Sequence, residues 1–284
     1  MHYCGREFTE TDLQLIQRLV ADTPGINRQK LSRQFCEEVG WRKADGGLKE
    51  MSCKVAFLRL HRAGHIQLPP PQKPANNHLK TGKRTLLALP QPEVSKKAGE
   101  HTLQLDLVEK ADSALWNEYI DRYHYLGYTP LPGAQLRYFV KSEDQVLALL
   151  GFGAAAWKTA PRDAYVGWDA STRKKNLHLV VNNARFLILP WVRSKNLGSK
   201  ILSLISKRIR ADWQERYHYE PVLLETFVEK ERFLGTCYKA ANWVYVGDTK
   251  GRGKPDVHHE CNLPVKSVWL YPLRKDFRER LIEG

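Results

Sequence analysis

One stretch of this chain can neither continue a helix nor pair inside a sheet, and it divides the sequence. Pro69-Pro70-Pro71-Gln72-Lys73-Pro74 fixes φ at four positions and removes four amide donors. The polar, basic run Asn76 to Arg84 follows, and Pro90, Pro92 and Ser95 to Gly99 prolong the irregularity. Only Thr85 to Leu89 is apolar enough for a strand. So long an unstructured loop is uncommon inside one compact domain. The sequence therefore predicts an N-terminal domain at residues 1–70, a linker at 71–100 and a C-terminal domain at 101–284.

Of the 284 residues, 42 % are hydrophobic, which suffices for two cores. No apolar run approaches the ~18 residues of a membrane span, and Met1 to Glu7 lacks the apolar stretch of a secretory signal. Five cysteines, odd in number and without a CxxC pair, point to reduced thiols. The expected setting is the cytoplasm, with no membrane partner. Net charge is the stronger clue. At +14, the chain favours a polyanion, because every Lys or Arg set on a phosphate releases condensed counterions.

Residues 1–70 read as three helices. Thr9 caps the first, with Leu13, Ile16, Leu19 and Val20 at helical spacing up to residue 21; Thr23-Pro24-Gly25 breaks it. Asn27 caps a second, carrying Leu31, Phe35 and Val39 and stopping at Gly40. A third runs from Leu48 to about Ala63. Its apolar positions, Leu48, Met51, Val55 and Leu58, are expected to face inward, and Lys49, Lys54, Arg59 and Arg62 outward. His65 to Leu68 reads as a short strand. Three helices and a strand is the order of a winged helix-turn-helix domain, whose third helix enters the major groove of DNA. The four cations are thus candidate DNA contacts; a helical protein-interaction module is the competing reading.

The C-terminal domain reads as mixed α/β. Strands are expected at Leu103–Leu107, Leu136–Val140, Val146–Ala155, Asn176–Leu189, Val222–Phe227 and Trp243–Val246, and helices at 112–122, 199–214 and 233–241. Asp163 after a loop and Glu225 late in an apolar strand are candidate catalytic carboxylates, able to bind Mg²⁺ or act as bases; pairing with Arg162, Arg173 or Arg185 is the structural alternative. Asn182, Asn183 and Arg185 interrupt an apolar strand, a costly placement without partners. Lys250-Gly251-Arg252-Gly253-Lys254 is a flexible basic loop suited to phosphate. His124 between Tyr123 and Tyr125 could stack on a base. His258, His259 and Cys261 match no common ligand spacing, so no metal site is expected.

The series strand-turn-helix-strand-helix-strand resembles the acyltransferase fold built around acetyl-CoA (the GNAT fold). In that fold, backbone amides at a helix N-terminus hold a pyrophosphate. Arg193 to Gly198 resembles its R-x-x-G-x-G/A pattern at Arg193 and Gly198, with Asn196 at the first glycine. The resemblance implies an anion or cofactor site at Arg193, Lys195 and Gly198, near Asn183 and Arg185, and a proton-donor role at Tyr238. Cys237 lacks a clear His partner for nucleophilic work. The identity of any cofactor stays open.

A second resemblance spans nearly the whole chain. Arg162-Asp163, Val166-Gly167-Trp168, Asn182-Asn183-Ala184-Arg185-Phe186-Leu187-Ile188-Leu189-Pro190-Trp191, Glu225-Thr226-Phe227-Val228, Gly235 to Trp243 and Gly247 to Gly253 follow in order. Together they resemble the DruA family of the Druantia anti-phage system, long treated as a domain of unknown function and also found with transposase-like proteins. That resemblance implies defence against phages beside other Druantia proteins, including a large helicase-like subunit. The expected function is a DNA-binding component of that system. The alternatives are a DNA-acting enzyme, either a metal-dependent nuclease or a GNAT-like nucleobase-modifying transferase, and a scaffold without nucleic-acid contact.

Overall fold

A computed structural model describes residues 1–70, 88–95, 97, 100–251 and 263–283. The chain forms two compact units, Met1–Lys83 and Arg84–Gly284.

In the first unit a small hairpin, β1 (His2–Tyr3) and β2 (Arg6–Glu7), leads into α1 (Glu10–Asp22), α2 (Arg28–Glu38) and α3 (Glu50–Arg62). Thr9 closes a full capping box: its hydroxyl accepts from the Asp12 amide, and the Asp12 carboxylate accepts from the Thr9 amide at 3.0 Å. Asn27 caps α2 by accepting from Lys30 N at 2.8 Å. Phe8, Phe35, Phe57 and Trp41 form the aromatic centre of the core, with the Arg6 guanidinium over three of these rings and paired to Asp12 at 2.9 Å.

Two expectations fail here. The inward face of α3 is Cys53, Ala56, Phe57 and Leu60, while Met51 (69 % exposed) and Val55 (41 %) point outward. The volume and ring contacts of Phe57 set the helix's rotation, and a reading that weighted Met51 and Val55 equally misplaced it. His65 to Leu68 forms no strand; Ile66 and Leu68 are buried without a ladder partner among the described residues. The strand that would define a wing at this place is thus missing, and α2 joins α3 through a loop closed by an Arg42–Leu48 bridge.

The second unit is built on a seven-stranded sheet: β3 (Leu103–Leu107), β4 (Leu136–Ser142), β5 (Gln145–Ala154), β6 (Val180–Ile188), β7 (Leu223–Glu229), β9 (Lys266–Pro272) and β8 (Val244–Asp248), in that spatial order. Every neighbouring pair is antiparallel except β6–β7. Side chains alternate between two cores with the strand period of two. Val181, Leu224 and Trp269 join one cluster; Val180, Leu223 and Val268 join the other. On the first face lie α4 (Ser113–Tyr123), α7 (Leu197–Tyr217) and α8 (Thr236–Ala240). Ile201, Leu202, Ile205, Ile209 and Trp213 of α7 are buried there, each worth about 2 kcal/mol in apolar transfer. The other core receives Val166 of α5 (Ala160–Val166) and Phe277 and Leu281 of α9 (Phe277–Ile282), with α6 (Ala170–Asn176) packed against α9.

The long strand expected from residue 176 begins only at Val180, because Asp169 caps α6 and a 3₁₀ turn, Leu177–Leu179, intervenes. β9, α5, α6 and α9 are additional to the elements expected from the sequence. Residues 88–95, assigned to the linker, lie on the second unit: Ala88 is buried, and Val94 bridges to Val192. The rest of the linker, including most of the strand expected at Thr85–Leu89, lies outside the described residues. No helix among the described residues is long and apolar enough to cross a membrane.

Candidate functional site

The parallel pair β6–β7 holds register only from Val180–Asn182 against Leu223–Glu225. Beyond that the two strands part. On its other side β6 carries a bulge: Gly151 faces Arg185 and Phe152 faces Asn183, so Ala184 has no partner on β5. Bulges of this kind re-aim neighbouring side chains. Between the diverging strands opens a cleft of about 490 Å³, lined by residues of α4's C-terminal end, β6, β7 and the segment Phe233–Tyr238.

Asn183, Thr226 and Tyr238 meet in this cleft. The Tyr238 hydroxyl donates to Asn183 Oδ1 at 2.9 Å, and Thr226 Oγ1 donates to the Asn183 carbonyl at 3.0 Å. The Asn183 amide nitrogen is held by the Arg185 carbonyl at 3.1 Å. Burial pushes the Tyr238 phenol up, so it stays a protonated O–H donor. Thr226 Oγ1 also lies 3.4 Å from the Tyr238 oxygen, so the three side chains form one buried polar cluster. The structure thus brings Asn183, named as an anion or cofactor residue, beside Tyr238, named as a proton donor. Thr226 was not anticipated; its signal was the polar break that Glu225-Thr226 makes in an apolar strand.

The wall of the cleft is aromatic. Tyr125 and Phe233 lie 5.4 Å apart with planes 59° from parallel, and His124 stacks on Tyr125 at 4.9 Å. His124 Nδ1 accepts from the Leu126 amide. Burial, with the nearby Arg185 charge, lowers its pKa to about 4, so the ring is neutral at pH 7. Arg185 itself donates to Thr129 Oγ1 at 2.7 Å and to the Ala184 carbonyl at 2.8 Å. Cys237 lines the cleft too; burial raises its thiol and suppresses the thiolate a nucleophile needs.

The turn from β6 to α7 carries the other expected anion residues. Asn196 adopts the left-handed conformation a glycine would supply there, at φ 65°. Arg193 is tied to the segment before β3. The Arg193 amide already donates to the Val94 carbonyl at 2.8 Å, and the Glu93 carboxylate sits 3.6 Å from the Arg193 guanidinium. Gly198 packs tightly on α8: a Cβ there would lie 3.1 Å from Cys237 Cβ. Lys195 is exposed. Segment 93–94 thus engages the amide and the guanidinium of Arg193.

Asp163 and Glu225 are brought together, but through a third residue. Arg162, wholly buried, donates to Glu225 Oε2 at 2.8 Å and to Asp163 Oδ1 at 2.8 and 2.9 Å. Glu225 also accepts from the Ala156 amide at 2.7 Å; Asp163 accepts from Trp168 Nε1 at 3.0 Å and Arg173 Nη1 at 3.2 Å. Burial pushes the Glu225 carboxyl up, and Arg162 and the Ala156 amide pull it back. This network ties α5 to β7. Its acceptors are spent on the protein, and no group of three or more His, Cys, Asp or Glu among the described residues could hold a metal. Arg162, expected from the sequence as one possible partner of these carboxylates, is the centre of the network.

The expected DNA contacts on α3 are accessible within their unit: Arg59 and Arg62 are exposed, Lys49 and Lys54 half-buried. Met51, Val55, Arg59 and Arg62 fall on one outward stripe at helical spacing. Lys250 is exposed, at the end of the described segment; Arg252, Lys254, His258, His259 and Cys261 lie outside the described residues.

The chain is similar in structure to the ribosomal-protein-S18-alanine N-acetyltransferase of Escherichia coli (9 % identity, TM-score 0.40, covering 61 % of this chain and 94 % of that one). It is also similar to the aminoglycoside acetyltransferase AAC(6')-Ib (13 %, 0.40, 63 % and 98 %) and to the polyamine N-acetyltransferase of Drosophila melanogaster (10 %, 0.38, 60 % and 99 %). No curated protein matches the chain. A family model described as Druantia protein DruA matches residues 61–262. The match reaches from α3 past β8 and takes in the ion-pair network, the cleft and the turn before α7. The chain belongs to the DruA family of Druantia proteins, and its role lies with that anti-phage system and its other components.

Proposed function

We propose that this chain serves Druantia defence by engaging DNA, with α3 of the helix-turn-helix-like first unit as the element that meets the groove. The observation that carries this reading is the outward stripe of α3. Arg59 and Arg62 supply charge for phosphates, and Met51 and Val55 supply apolar contact for thymine methyl groups. The net charge of +14 supports it. Lys49, Lys54 and the basic loop at Lys250, Arg252 and Lys254 add phosphate contacts, and DNA so held is handed to the system's helicase-like subunit in the cytoplasm. The test is phage plating on cells carrying the whole system with Arg59→Glu and Arg62→Glu, beside a gel shift of the purified chain. Loss of protection and a much weakened shift are expected. Full protection with the charge-reversed α3 would return the chain to a scaffold without DNA contact.

A second reading, a transferase acting on nucleobases, is favoured by one observation: the nearly buried Tyr238 hydroxyl at the floor of an open cleft. There an amino group of the base would attack the thioester carbonyl of an acyl donor, Tyr238 would protonate the departing thiolate, and the amine's proton would pass to solvent, with Asn183 holding the Tyr238 hydroxyl in place. Its test is mass spectrometry of nucleosides digested from DNA before and after incubation with the full chain and cell extract. Unchanged nucleosides end that reading.

A further inference from the structure

The β6 bulge sets one cation apart from the others. Arg185 follows the unpaired Ala184 and faces Gly151 on β5. The glycine leaves room for the Arg185 stem and the Trp116 ring, since a Cβ there would lie 3.2 Å from each. The Arg185 guanidinium is half-buried, and burial pulls its pKa down. Of the five N–H groups a guanidinium carries, one goes to the Ala184 carbonyl at 2.8 Å and one to Thr129 Oγ1 at 2.7 Å, both neutral acceptors. Nε–H is shielded from solvent and has no acceptor among the described residues. Arg6 and Arg173 likewise leave Nε without an acceptor, but each holds a carboxylate: Asp12 at 2.9 Å and Asp163 at 3.2 Å. Arg185 holds none among the described residues. Glu229, whose charge also acts on Tyr125, is committed to Arg232 at 2.8 Å.

A cation drawn partly out of water without a counter-charge is destabilising, and a charge-assisted bond to an anion offsets that cost. The place suits an incoming anion. Ala184, His124 and Tyr125 line the cleft, and the Arg185 charge acts on both of these rings. No carboxylate lines the cleft among the described residues. We infer that Arg185 binds an oxyanion, a phosphate or a carboxylate, carried by a ligand that enters the cleft between β6 and β7. The N–H left on each terminal nitrogen matches two oxygens of one such group. The Arg185 carbonyl holds the Asn183 amide, which joins this anion site to the Tyr238 cluster. The inference goes beyond both readings of function above, since it needs neither α3 nor acyl transfer.

The full chain, labelled with nitrogen-15, is titrated at pH 7 with inorganic phosphate, acetate or chloride at matched ionic strength. The Arg185 Nε–H resonance, identified by its loss in Arg185→Lys, is expected to move saturably with phosphate and to stay still with chloride. Movement with acetate as well supports the site and extends its ligands to carboxylates. Arg59→Glu with Arg62→Glu keeps the phosphate response, so a failure of DNA binding at α3 and a failure of this site are read separately. Melting curves give the second measurement. Phosphate is expected to raise the wild-type midpoint above that in chloride, as a ligand of the folded state does. Arg185→Met is expected to lose at least half of that rise and to melt no lower than wild type in chloride. A resonance that phosphate leaves still, or that chloride moves equally, overturns the inference. An Arg185→Met chain that melts well below wild type and keeps the full phosphate rise also overturns it, leaving Arg185 as a strut for Thr129.

Discussion

Arg162 and Glu225 meet at 2.8 Å with both side chains wholly shielded from solvent. A carboxylate so placed has traded water for one guanidinium and one amide. The pair joins α5 to the strand that forms one wall of the cleft, so its first duty is to hold that wall.

Arg162→Leu should therefore cost about 3–5 kcal/mol, because Glu225 is left buried and uncompensated. Arg173→Leu removes only a longer bond to Asp163, at 3.2 Å, and should cost about 1 kcal/mol. Urea unfolding read by tryptophan fluorescence compares them; Trp168, beneath Arg162, reports locally. Equal losses would contradict the ranking.

His124 predicts a pH dependence. Its folded pKa, about 4, lies below the ordinary 6.5, so between those values the unfolded chain binds more protons than the folded one. Stability falls as pH drops through that window. By pH 5 the loss from this one group should be on the order of 1–2 kcal/mol, allowing for its partial exposure. His124→Asn should flatten the difference between urea midpoints at pH 7 and pH 5. A variant that keeps the full difference would assign it to other groups.

Two glycines separate backbone strain from crowding. Gly167 has φ 87° with nothing within 4 Å of an added Cβ, whereas Gly235 has φ 70° and an added Cβ only 2.8 Å from the Trp269 ring. Gly167→Ala should cost about 1 kcal/mol, the left-handed penalty alone. Gly235→Ala should cost about 2–4 kcal/mol, adding displacement of the indole. It should also disturb the cleft, since Gly235 starts α8 and lines the opening. Thermal melts of both variants check this; equal shifts would mean that Trp269 yields freely.

Local chemistry was legible where local chemistry decides. Thr9 and Asn27 announced their helices, and the apolar stripe of α7 from Ile201 to Trp213 showed its buried face. Long-range contacts were not legible. Phe57 rotates α3 through the ring contributed by Phe35, and no period within α3 records that. β9 was hidden because its apolar run follows a basic loop and pairs with β7, some forty residues earlier in sequence. At the cleft, Asn183 and Tyr238 stood out as polar groups among apolar neighbours. Glu93 gave no such signal: its pairing with Arg193 spans a hundred residues and depends on Val94 finding Val192.

The measurement that bears most directly on the account is the salt dependence of DNA binding by the full chain. The four cations of α3 alone predict a fall in affinity of at least about a hundredfold between about 50 mM and about 200 mM salt. Arg59→Glu with Arg62→Glu should lower the slope of log affinity against log salt by about two. A wild-type affinity indifferent to salt, or a variant with the wild-type slope, would contradict the claim that these side chains meet a phosphate backbone.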